Sequence, residues 1–218
     1  ELGTVKHYET RYKVKTGTTT ITSNAIKADN AIKIGFVGHE EGSVVNATSV
    51  NSSININGVI NNARGWTQLN SGKGSIAQGA NGFINTRTLT LAAAKDIGSA
   101  EQSVLFNART LEAAGGGSAY LRSNGMATLQ ISNLTARDKL SLQAQGNIHA
   151  YIGTDASAST IELSSAYGKI GTGYAHLRLA VGEGGLSADA YGDIYIDNKT
   201  DNLHLDHVVS TQGNVYLS

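Results

Sequence analysis

The side chains best suited to chemistry gather late in the chain, where Asp193, Asp197, Asp201 and Asp206 are interleaved with His204 and His207. Oxygen and imidazole ligands converging there could hold Ca²⁺ or a transition metal. The spacing is not that of an EF-hand, and Asn198, Asp201 and Asn202 also read as turn residues, with His204 and Asp206 outward beside Leu203 and Leu205. No metal is therefore expected. Nucleophilic catalysis needs a hydroxyl, a base and an orienting acid within reach, and the serines and six scattered histidines offer no Gly-x-Ser-x-Gly elbow. Gly115-Gly116-Gly117 lacks the context of a dinucleotide loop, and Gly182-Glu183-Gly184-Gly185-Leu186-Ser187-Ala188-Asp189 breaks the order of a calcium-binding nonapeptide. No catalytic residue and no cofactor are expected.

Two repeated groups remain. Asn62-Ala63-Arg64 recurs as Asn85-Thr86-Arg87 and Asn107-Ala108-Arg109, at separations of 23 and 22 residues. Arg64, Arg87 and Arg109 would stack, and a basic row could grip an acidic glycan or, in a polysaccharide-cleaving β-helix, neutralise a uronate during proton abstraction. No carboxylate row recurs beside them. Asn62, Asn85, Asn107, Arg64, Arg87 and Arg109 are accordingly read as structural ladders, the arginine stems covering the coil. Tyr167 and Tyr191 occupy the same place in two Ala-Tyr-Gly phrases 24 residues apart, with Tyr195 close by. They form either a ligand face or a set of rings stacked on one another.

Composition narrows the classes that could present these groups. The 218 residues include 26 glycines and no proline or cysteine, with 6% aromatic and 16% charged residues. The charged share is below the globular norm of about a quarter. Lys plus Arg and Asp plus Glu number 17 each, so no net field exists to attract nucleic acid. The lack of cysteine excludes disulfide scaffolds and thiolate sites and suits export through an oxidising compartment. No apolar run approaches the roughly 20 residues of a membrane span, and no signal peptide is recognised. Since residue 1 is Glu and residue 218 falls inside a repeat, the chain is expected to be a piece of something longer.

The repeat is the main structural signal. A phrase of apolar, small and polar residues, then usually Gly, a polar residue and Ile or Val, closes at Ile148, Ile170, Ile194 and Val215, in steps of 22, 24 and 21. Within it apolar and polar residues alternate, as in Leu140-Ser141-Leu142-Gln143-Ala144, which is the period of a half-buried strand. Val104 to Ala114 could line a helix, but its match to residues 85–89 argues for a strand. Units of this size bury their inner side chains only by stacking on their neighbours. The expected fold is an all-β, right-handed parallel β-helix, or β-solenoid, of about nine or ten coils of 21–24 residues. One domain is expected over 1–218, with 1–17 as a charged edge strand or irregular cap and 18–218 as stacked coils. Gly38-His39-Glu40-Glu41-Gly42 is read as an exposed turn.

These phrases, among them Leu89 to Ser99, Leu140 to Ile148 and Ile161 to Ile170, resemble the degenerate repeats of filamentous-haemagglutinin-like adhesins over roughly residues 50 to 218. The resemblance implies the β-helical stalk of a bacterial exoprotein exported by two-partner secretion through an outer-membrane pore. That family's secretion domain carries Asn-Pro motifs, which a chain without proline cannot contain. The expected function is non-enzymatic: a stalk segment of a secreted or surface-anchored adhesin, extracellular or on the bacterial cell surface, serving adhesion, aggregation or biofilm contacts. Expected partners are other cells, a host surface or matrix polysaccharide, with neither nucleic acid nor membrane insertion. The alternative is a polysaccharide-binding or polysaccharide-cleaving β-helix.

Overall fold

A computed structural model describes residues 10–14, 18–23, 32–38, 42–151 and 155–218, with side chains from residue 42 onward. Among the described residues there is no helix, and the strands pair side by side in parallel. One column of register partners runs Ile32, Ile54, Ile76, Ile97, Ala119, Leu140, Ile161, Leu186, Leu205. Its eight steps, of 19 to 25 residues, define a β-solenoid of about eight turns, somewhat more variable in coil length than the repeat phrases imply. At the usual strand spacing of about 4.8 Å the stack rises roughly 40 Å along this column.

Alternation produces the core. Val44–Ser49 and Phe83–Ala93 bury every second residue over most of their length, so each strand sends one set of side chains inward and the other to solvent. Inside, a second column runs Leu69, Leu91, Ala113, Leu134, Ala156, Leu179 and a third Leu129, Ile148, Ile170, Ile194. Aliphatic groups thus meet their equivalents one level away, and each fully buried Ile or Leu contributes about 1.5–3 kcal/mol over an exposed one. Phe106 is the largest fully buried side chain, which fits the scarcity of aromatics. Proline is missing because interior strands need their N–H groups for the neighbouring level.

The corners explain the Gly-polar-Ile phrase. The residue before the buried Ile reaches along the stack: Asp96 Oδ1 accepts from Ser118 N–H at 2.8 Å, Asn147 Oδ1 from Lys169 N–H at 2.9 Å, and Asp193 Oδ1 from Asn214 N–H at 3.0 Å. Where the corner is one residue longer a serine precedes it, its hydroxyl donating to a carbonyl of the level below. Ser165 does so to Gly146 O at 2.8 Å and Ser210 to Gly192 O at 2.9 Å. Two matching outcrops, residues 98–103 and 171–176, interrupt strand faces. Each opens on a glycine with positive φ, 68° at Gly98 and 71° at Gly171, and closes a tight turn, Ser99 N–H to Gln102 O and Thr172 N–H to Ala175 O, both 3.0 Å.

Val104–Asn107 and Thr110–Gly115 are strands, not a helix. At the N-terminal side, Thr10–Val14 pairs in parallel with residues 34–38 and so joins the stack. Residues 1–9 and 15–17 of the expected cap, and His39 to Glu41 of the expected turn, lie outside the described residues.

Candidate functional site

Three consecutive levels of one face carry an outward array. Its first row is apolar, with Val59 paired to Phe83 and Leu105 beside Phe83 on the next level. The second row is an amide ladder: Asn85 Nδ2 donates to Asn61 Oδ1 at 2.8 Å, and Asn107 Nδ2 to Asn85 Oδ1 at 3.1 Å. The third is Arg64, Arg87 and Arg109, all exposed. Arg109 N–H bonds Arg87 O at 3.0 Å, which sets those two one above the other, while Ala63-Arg64-Gly65 forms an irregularity opposite Arg87. Trp66, 48% exposed, stands at the same corner, its Nε1 donating to Thr90 Oγ1 at 3.2 Å.

The ladder therefore runs through Asn61 and not through Asn62. Asn62 points inward, fully buried, and its Nδ2 donates to the carbonyls of Ser43 and Trp66, both at 3.1 Å, leaving Oδ1 without a partner. The two residues added around Arg64 shift the register by two between Asn62, opposite Thr86, and Trp66, opposite Thr88. Simple spacing of the Asn-x-Arg triplets cannot reveal such a shift. Arg64 and Arg109 have no ion-pair partner among the described residues.

Further along the stack two shallow clefts, of about 330 and 340 Å³, share Gln143. The first includes Leu105, Arg122 and the outcrop at 98–103; the second includes Glu162, Ser187, Asp189 and His207. Charges in the second are paired: Lys139 to Glu162 at 2.5 Å and His207 Nε2 to Asp189 Oδ1 at 2.9 Å. Ser187 lies across from His207 in register, while the His207 ring bonds Asp189.

The tyrosines separate into two kinds. Tyr195 stacks on Tyr216 with centroids 4.6 Å apart and planes 4° from parallel, and His176 tilts against Tyr195 at 5.4 Å. Contact between successive levels occupies ring faces that a sugar would need. Burial, with help from Asp193 and Tyr216, pushes the Tyr195 hydroxyl above its ordinary pKa. Tyr167 and Tyr191, 66% and 50% exposed, do not align: Ser165 is the register partner of Ala190, and the corner after Ser165 is one residue longer. Neither makes a ring contact among the described residues.

The late acidic residues disperse. Asp193 pairs with Lys169 at 2.5 Å, and that ammonium, with the Asn214 N–H, holds its carboxyl below the usual range. Asp197 takes a hydrogen bond from the Ser218 hydroxyl and pairs with His176 Nδ1 at 2.6 Å, which lower it in that order. Asp206 lies against Gly185, where a Cβ would come within 2.5 Å of its carboxylate. No group of three His, Asp or Glu with metal-site geometry forms among the described residues. No family model, curated protein or solved structure matches the chain.

Proposed function

We propose that this chain is a non-catalytic stalk segment of a secreted or surface-anchored bacterial adhesin of the filamentous-haemagglutinin-like kind, wound right-handed in about nine or ten coils over its whole length. The observation that carries this reading is the unbroken column from Ile32 to Leu205, in which each turn repeats the pairing of the one below. In such a stack stability grows roughly additively with length. Reach is then gained by adding coils, without any enclosed pocket. Excising residues 119–160 in the full-length surface protein tests it, because Ser118 is then joined to Ile161, the residue that stands two levels beyond Ala119 in the same column.

The stalk reading expects adhesion to persist with a reach shortened by about 10 Å, two strand spacings. Loss of adhesion by a folded, displayed protein overturns it. The cleft containing Glu162, Asp189 and His207 favours a polysaccharide-cleaving or polysaccharide-binding β-helix as the second reading. New reducing or unsaturated ends after incubation with acidic polysaccharides would establish that alternative.

A further inference from the structure

We infer that the exposed row Arg64, Arg87, Arg109, flanked by the Asn61, Asn85, Asn107 ladder and by Trp66, is a binding site for a linear polyuronate lying along the stack axis. The inference rests on this array and not on the stalk reading.

Three observations point the same way. The first is charge. Like charges on adjacent strands repel, yet three guanidinium groups occupy successive levels, and neither Arg64 nor Arg109 is neutralised by a carboxylate among the described residues. A ligand that brings anions to the Arg64 and Arg109 levels relieves that repulsion.

The second is spacing. Levels recur at about 4.8 Å, and an extended pyranose chain advances by a similar distance per residue with its carboxylates on alternate sides, so sugars two apart can present theirs to Arg64 and Arg109, two levels apart. The planar guanidinium fork suits a carboxylate bidentately.

The third is the company the row keeps. The ladder bonds use one N–H of Asn85 and one of Asn107, leaving the other N–H of each amide for sugar hydroxyls. Trp66 is held by its bond to Thr90 with about half its surface open, which offers an apolar ring for a sugar face.

The test is calorimetric titration of the protein with oligogalacturonates of two, four and six residues at low salt. Affinity is expected to rise from the dimer to the tetramer and then level off, since three arginines span three levels. The triple variant Arg64→Gln, Arg87→Gln, Arg109→Gln should bind at least tenfold more weakly, with an unchanged circular dichroism spectrum and a thermal midpoint no lower than that of the parent. Trp66→Ala should weaken binding several-fold, and binding should quench the single tryptophan's fluorescence. Three results overturn the proposal: unchanged affinity in the folded triple variant, equal affinity for a neutral oligosaccharide of the same length, or tighter binding of a sulfated glycan or single-stranded DNA than of the uronate. Failure here leaves the excision experiment on reach unaffected.

Discussion

Asn85 donates its side-chain amide to Asn61 on the level below at 2.8 Å, whereas Asn62, the next residue along, turns into the core. Adjacent asparagines thus do opposite jobs. Replacing Asn85 by Ala removes two ladder bonds and is expected to cost about 1–2 kcal/mol, and Asn61→Ala about half that. Asn62→Asp buries a carboxylate where the amide had donated to the carbonyls of Ser43 and Trp66 and should cost roughly 3 kcal/mol or more. Urea denaturation ranks the three; a silent Asn61→Ala would contradict the ladder.

Gly171 combines a φ of 71° with a backbone approach that would set a Cβ 2.3 Å from Tyr195 O. Both features oppose any side chain. Gly171→Ala should therefore destabilise by about 2 kcal/mol or more, through left-handed strain and displacement of the next level. The near-ultraviolet dichroism of the Tyr195 and Tyr216 stack reports the displacement, and a variant as stable as the parent would show that the outcrop yields freely.

Phe106 fills the interior between Ile84 below and Ser123 above. Phe106→Ala leaves a cavity that rigid neighbouring coils cannot close, at an expected cost of about 3–5 kcal/mol. Because each level contacts only its neighbours, hydrogen exchange should accelerate first around residues 84, 106 and 123. Uniform acceleration over the whole chain would argue against that locality.

Burial, and then the charge of Lys169, hold His149 below the ordinary histidine pKa. The unfolded chain takes up this proton near pH 6.5, the folded chain only at lower pH. The contribution of His149 is thus fully present above about pH 6.5, declines as pH falls below it, and levels off once the folded imidazole is protonated. Thermal midpoints measured between about pH 8 and 5 should fall less steeply for His149→Gln than for the parent. Parallel curves would show that His149 is not the group responsible.

Strand alternation and a recurrence near 22 residues are local properties, and they sufficed to specify a parallel stack. A half-buried strand of one coil has no other way to cover its inner face than an equivalent strand above and below. Leu140-Ser141-Leu142-Gln143-Ala144 could be placed by inspection, as could the strand assignment of Val104 to Ala114. The corner asparagines, aspartates and serines were visible as punctuation, though not their bonding to the next level.

What folding alone decided is register. Corners differ by one or two residues, so equal sequence spacing does not mean equal height. The residues around Arg64 moved Asn62 out of the ladder and put Asn61 in it, and the longer corner after Ser165 kept Tyr167 from meeting Tyr191. The stacked rings proved to be Tyr195 and Tyr216, and Trp66 came to stand beside the arginine row. The physical reason is that height is chosen by which side chains fill the interior, and the outward groups follow wherever that packing carries them.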